Sequence, residues 1–225
     1  MNIFINAIKK QEYFENFITR SIKNSNAIEG NTLSYAETYS IVFNDESLPL
    51  QNVNPRELYE AINLKHAIDY SLNNIGAFDS KLIIHIGDLI NKNIKDTSGY
   101  RKTQNYINGA DFVPIKPEYV PSRMNEIIYE YNNSELNVIE KIAKFHIDFE
   151  HIHPFEDGNG RTGRVLLNHQ LIMNNEIPIV IPEERRIEYF EILEKYDIDN
   201  LSSFIRELQL KEKEKMNEYD IKNVN

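Results

Sequence analysis

Cysteine is absent from the 225 residues, which excludes disulfides and thiolate metal sites and fits a reducing compartment. No apolar run approaches the roughly 20 residues a spanning helix needs, and the first ten residues hold no sustained apolar core of the signal type. On these grounds the chain is expected to be cytoplasmic, with no membrane partner. Basic residues are in deficit, with 25 Lys and Arg against 35 Asp and Glu for a formal charge of −10. That field opposes nonspecific binding to a phosphate backbone, so nucleic acid is not an expected partner. No G-x-x-x-x-G-K-[ST] run occurs, which removes a Walker-type NTPase. His146, His151 and His153 cluster in sequence, but 151 and 153 fall on different faces of a helix and no carboxylate–histidine pair has zincin spacing, so histidine ligation of a metal is not expected. Repeats and long linkers are missing too.

What remains is an apolar content of 41%, enough to bury a core, arranged with helical periodicity. Ile8, Phe14, Phe17, Ile18 and Ile22 share one broad face, Gly30 stops that helix, and Ser34-Tyr35-Ala36-Glu37 reads as a capping box starting the next. Further helices are expected near 55–74, 79–94, 121–132, 135–152, 162–175 and 183–195, with another after Leu201 that frays into a polar tail over Lys211–Asn225. The exception is Gln104–Ile115, where Asn108-Gly109 between short β-prone segments signals a hairpin and Pro114, Pro117 and Pro121 keep the chain extended.

Most of the chemistry lies in the run His153-Pro154-Phe155-Glu156-Asp157-Gly158-Asn159-Gly160-Arg161-Thr162-Gly163-Arg164. Gly158 and Gly160 let backbone N–H groups turn outward as an anion nest. The apolar spacing of the following residues makes that nest the start of a helix, whose N-terminus favours negative charge. Asp157 is a single carboxylate beside it, suited to Mg²⁺, which takes the rest of its shell from water and phosphate. Arg161 and Arg164 lie i, i+3 on one helical turn and have guanidinium forks that fit phosphate oxygens. Cations there oppose the helix dipole, which implies an anion between them. Pro154 biases His153 away from helical geometry and into the loop, where it would serve as a general base. Phe155 is most simply an anchor of the loop in the core.

Position for position this run resembles the Fic family signature, H-P-F-x-[D/E]-G-N-G-R-x-x-R. The resemblance implies an all-α bundle with a small β-hairpin flap beside the active-site loop. It implies N-terminal helices over 1–75, a catalytic core over 76–182 with flap (about 103–117) and signature loop (153–164), and C-terminal helices and a polar tail over 183–225, forming one compact unit in which Gly99-Tyr100-Arg101 precedes the flap. The implied activity is transfer of AMP from ATP, with Mg²⁺, to a Tyr, Thr or Ser hydroxyl of a target protein. His153 takes the proton, Gly158, Asn159, Gly160, Arg161 and Arg164 hold the phosphates, and Asp157 holds the metal. A target segment would lie along Tyr106, Ile107, Asn108, Gly109, Phe112 and Val113 as an added strand. Tyr189 and Phe190 are candidates for the adenine pocket.

Ser25-Asn26-Ala27-Ile28-Glu29-Gly30-Asn31 resembles the family's inhibitory motif, [S/T]-x-x-x-E-[G/N]. Ser25 and Glu29 share a helix face, and a carboxylate at a helix C-terminus is disfavoured by the dipole. By resemblance, its arginine partner is Arg164. Alternatives stay open: removal of AMP using Glu29, phosphate transfer of the Doc type, where a lysine stands in place of Gly160, and a silent docking module. Self-modification and a homo-oligomer are compatible with the sequence.

Overall fold

A computed structural model of the chain describes residues 10–45, 53–76, 78–107 and 111–222, the last three by backbone alone. Tyr13, Phe17, Ile18, Ile22 and Ile28 recur at helical spacing and form the buried face of α1 (Gln11–Ile28). Ile8, expected on that face, lies outside the described residues. Gly30 at φ +94° follows the helix, with its N–H bonded to Ala27 O at 2.9 Å, a turn suited to glycine. The expected capping box starts α2 (Tyr35–Phe43): Glu37 N donates to Ser34 Oγ at 3.2 Å and Ser34 N to Glu37 Oε2 at 2.9 Å.

Asn54 caps α3 (Pro55–Asn73), Asp79 caps α4 (Ser80–Asn91) and Asn137 caps α6 (Val138–Ile152), each through a side-chain oxygen. α5 (Val120–Asn133) precedes α6. The chain then passes through α7 (Asn159–Met173), α8 (Arg186–Glu194) and α9 (Ile198–Lys222). α6 and α7 pack against each other at the centre, α5 and α9 flank α6, and α1, α3 and α4 flank α7. One core cluster takes residues from all nine α-helices found among the described residues. The tight turn between α6 and α7 is therefore walled by packed helices, and it is the signature loop.

One expectation changes. Over 211–222 the chain is not a fraying tail, because helix continues to Lys222 and Glu212 is 3% exposed. Its carboxylate accepts Tyr13 Oη at 2.7 Å and both Arg20 terminal nitrogens at 2.8 and 2.7 Å. With Met216 one turn later also buried, a charged run conceals one inward face. The expected β-hairpin is not shown: no strand occurs among the described residues, and Asn108 and Gly109, its expected turn, lie outside them. Among the described residues, side chains join the two arms. Gln104 Nε2 donates to Pro114 O at 2.9 Å, Arg101 donates to the Thr103 and Ile115 carbonyls, and Pro114 has no N–H to offer a partner strand.

Candidate active site

The signature loop is anchored from below and folded by its own side chains. Phe155 is 1% exposed, between Tyr100 and Phe149 at centroid distances of 5.7 and 6.3 Å. It packs so tightly on α4 that a Cβ at Gly87 would lie 2.4 Å from its ring. Asn159 closes the loop by accepting Phe155 N at 2.7 Å and donating to Phe155 O at 2.9 Å. Gly158 at φ +71° caps α7, in a place where a Cβ would meet Ile90 Cγ2 at 2.6 Å. The first intrahelical bond is Thr162 N to Gly158 O, 2.9 Å. The N–H groups of Asn159, Gly160 and Arg161 precede it, as the first-turn donors of any helix do, and form the anion-binding end.

His153 is the left-handed cap of α6, at φ +52° and ψ +62°. Its Nδ1 lies 3.3 Å from Glu150 O. A carbonyl can only accept, so Nδ1 carries the proton and Nε2 keeps a lone pair. Burial pushes the imidazole down to about 4 despite that hydrogen bond, so it is neutral at neutral pH. Arg101, 2% exposed, fixes the backbone around it: its Nε donates to His153 O at 2.8 Å and its N–H to Pro154 O at 2.8 Å. Sequence reading placed Arg101 only as a neighbour of the flap; here it ties flap and base together.

Asp157 sits in a net of alternating charge. Its Oδ2 is 2.6 Å from Arg56 Nη2 and its Oδ1 3.5 Å from Arg161 Nη2, while Glu60 Oε1 lies 3.0 Å from Arg56 and 3.1 Å from Arg161. Burial resists ionisation of Asp157, but Arg161, Arg56 and the Gly158 N–H outweigh it and hold the carboxyl below its usual range. Arg56 and Glu60, on α3 about 100 residues away, carried no local signal in the sequence. No group of three or more potential ligands occurs among the described residues. An ionised, partly exposed single carboxylate nonetheless fits an ion that completes its shell with water and phosphate, once Arg56, whose side chain is 52% exposed, releases Oδ2.

Arg164, 6% exposed, turns the other way, towards α1. Its Nε donates to Ser25 Oγ at 2.8 Å, and its Nη2 donates to Ser25 O and to Glu29 Oε1, each at 2.8 Å. Burial works against its charge, but Glu29 holds its guanidinium above the usual value. Glu29 covers the nest itself: a Cβ on Gly160 would fall 2.3 Å from Glu29 Oε1. The two signature arginines, expected to share a ligand, are thus each held by a carboxylate from a different helix.

Glu29, His153, Gly160 and Arg164 border one cavity of about 390 Å³, lined also by Tyr189 and Phe190 of α8 and by Tyr106, Ile107 and Phe112. Tyr189 is fully buried, its hydroxyl 2.7 Å from His146 Nε2. Phe190 is 36% exposed, with the Arg186 guanidinium 4.9 Å from its ring centroid, and Arg186 Nε also donates to Ile28 O at 2.7 Å. Phe112 stacks on His151 at 4.0 Å, whereas Val113 is 63% exposed and stands outside the cavity. Glu150 borders it too, another residue that the sequence did not single out.

Comparisons with known proteins point to one family. The Fic/DOC family model matches residues 77–171. Protein adenylyltransferase fic-1 of Caenorhabditis elegans is 33% identical over 190 residues, covering 80% of this chain and 37% of the relative. Protein adenylyltransferase Fic of Nematostella vectensis is 31% identical over 206 residues, 88% of this chain and 46% of the relative. The chain therefore spans less than half the length of these curated relatives. A Fic domain containing signaling protein from Bacteroides thetaiotaomicron shares the fold, with a TM-score of 0.81, 22% identity and coverage of 90% of this chain and 87% of that one. Fic-1 (aa134 - 508) from C. elegans gives a TM-score of 0.75 at 25% identity, covering 93% of this chain and 63% of that one.

Proposed function

Residues 77–171 form a Fic/DOC-family domain, and from that premise we propose that the chain is a protein adenylyltransferase that moves AMP from ATP to a Tyr, Thr or Ser hydroxyl of a target protein. The observation that carries the reading is the shared cavity, which sets a neutral base, His153, against an anion nest at Gly160 and a buried cation, Arg164.

In this reading the α-phosphate lies over the nest of Gly158, Asn159 and Gly160, whose backbone N–H groups stabilise charge developing at phosphorus. Asn159 serves by keeping the loop folded. Arg161 and Arg164 hold the β/γ end. Asp157 would hold Mg²⁺, which when bound neutralises phosphate charge and orients the pyrophosphate leaving group. His153 Nε2 takes the proton as the target hydroxyl oxygen attacks the α-phosphorus, and the bond to the β-phosphate oxygen breaks. Nδ1 stays on Glu150 O throughout, so the tautomer is fixed in advance. The target would lie against Tyr106, Ile107 and Phe112 where they line the cavity.

Glu29 holds this activity back in two ways. It occupies Arg164 Nη2, and its carboxylate stands over Gly160, where the phosphates need room. Because Glu29 reaches the cavity of His153, the same side chain could activate water to remove AMP from a modified protein; in that second reading water attacks the α-phosphorus, the bond to the protein oxygen breaks and free AMP leaves, so one site would both add and remove the group. Mass spectrometry of the protein and a cell extract after incubation with Mg²⁺ and ATP tests the proposal, including self-modification. AMP found on hydroxyl side chains supports it, and phosphate found there instead points to transfer of the Doc type.

A further inference from the structure

Glu150 stands on the last turn of α6, three residues before His153. It is 9% exposed, yet its Oε1 has no hydrogen-bond partner and it borders the cavity that holds Arg164 and Gly160. His146 Nε2, 3.9 Å from that oxygen, is beyond bonding reach and is engaged with the Tyr189 hydroxyl at 2.7 Å. A Cβ at Gly163 would lie 2.2 Å from Oε1, so glycine lets the carboxyl rest directly on the helix turn that carries Arg164. Arg164 in turn has one terminal nitrogen, Nη1, without a partner. A buried polar atom left without a partner in a native protein calls for an explanation. Here two such atoms, one of each kind, belong to residues that line the same cavity.

We propose that Glu150 contacts the anionic ligand of this cavity as a neutral carboxylic acid, donating a hydrogen bond to a phosphate oxygen beside Arg164. The inference rests on the nucleotide reading above. An ionised carboxylate in this position would repel a polyphosphate, whereas a protonated one supplies a donor. Burial pushes Glu150 up to about 8, with Arg164 pulling it down and Glu29 adding to the rise. The other groups facing it are His146 and His153 of α6, held down at about 3 and about 4 by burial, and Tyr189 of α8, raised by burial. Arg164 is likewise raised, by Glu29 against the opposition of burial. The sign follows: a raised carboxyl keeps its donor below about pH 8 and becomes a facing negative charge above it, so affinity for the polyanion falls as pH rises.

The test is calorimetric titration with Mg²⁺ and ATP at roughly pH 6.5 and 9, which bracket the expected midpoint. The proteins are the full-length Glu29→Gly variant and the same variant carrying Glu150→Gln or Glu150→Ala. Removing Glu29 frees the nest and lowers the Glu150 midpoint somewhat, within the tested interval. The parent variant is expected to lose about tenfold in affinity between the two pH values. Glu150→Gln, whose amide donates at both, should stay level, and Glu150→Ala should bind about tenfold more weakly than the parent at the lower pH. Melting curves verify folding, and should Glu150→Ala fail to fold, the pH response of Glu150→Gln decides. Affinity of Glu150→Ala equal to the parent at the lower pH, or a pH loss preserved in Glu150→Gln, would overturn the assignment while leaving the nucleotide site standing. Absence of ATP binding by the parent variant would overturn the nucleotide reading, and this inference with it.

Discussion

His153 occupies a left-handed backbone conformation that costs a non-glycine residue about 1–2 kcal/mol, and the surrounding contacts hold it there. Its own N–H bonds to Phe149 O at 2.9 Å, Arg101 grips its carbonyl, and Glu150 O faces its ring. Because burial lowers the imidazole to about 4, the base is already deprotonated at neutral pH. The sign is simple: a depressed histidine remains a base until the pH falls through the lowered value. In the Glu29→Gly variant, which loses a carboxylate that raises His153, the acid limb of kcat/KM for AMP transfer should therefore fall at about pH 4 or below and not near the ordinary histidine value of about 6.5, as a pH series would check. Glu29→Gly itself removes a charge-assisted hydrogen bond worth about 1.5–3 kcal/mol. Initial rates should rise about tenfold to a hundredfold, and an unchanged rate would remove the inhibitory role of the 2.8 Å contact with Arg164.

The elements show how far the sequence could be read. The helices of α3, α4, α5 and α6 lie close to their expected spans, because apolar periodicity and side-chain caps at Asn54, Asp79 and Asn137 act locally. The pairing of Ser25 and Glu29 with Arg164 was legible only because two motifs of one family stood in the same chain; no periodicity connects residues 135 apart. The expected hairpin is not shown among the described residues, whose bounds leave out Asn108 and Gly109, and an Asn-Gly signal says nothing of the side chains that compete for the carbonyls of the flanking arms. Arg101 carries much of that competition and had no sequence signal beyond its neighbours Gly99 and Tyr100. Arg101→Met should leave the His153, Thr103 and Ile115 carbonyls without their donor. A loss of about 3 kcal/mol or more in urea unfolding is expected, together with slower AMP transfer as the base loses its fixed backbone. At Gly87, where a Cβ would strike the Phe155 ring at 2.4 Å, alanine should cost about 1–3 kcal/mol and disturb the loop from the opposite side.

At the scale of the whole molecule, α1 and α9 are joined by the Tyr13, Arg20 and Glu212 cluster. Removing one member of a buried pair typically costs about 3–5 kcal/mol, because the remaining charge is left uncompensated. Glu212→Ala is therefore expected to lower Tm by about 10 °C, and Glu212→Gln by less, as scanning calorimetry would register. The same architecture places the Glu29 carboxylate at the end of α1, His153 at the end of α6 and Gly160 of α7 on one cavity, and the inhibited transfer site proposed from that juxtaposition is the central claim. It is tested most directly by incubating the protein, Glu29→Gly and Glu29→Gly/His153→Ala with cell extract, Mg²⁺ and ATP labelled at either the α- or the γ-phosphate. The account predicts protein-bound label from α-labelled ATP alone, stronger in Glu29→Gly and absent without His153. Label retained from γ-labelled ATP, or α-label that persists without His153, would contradict it.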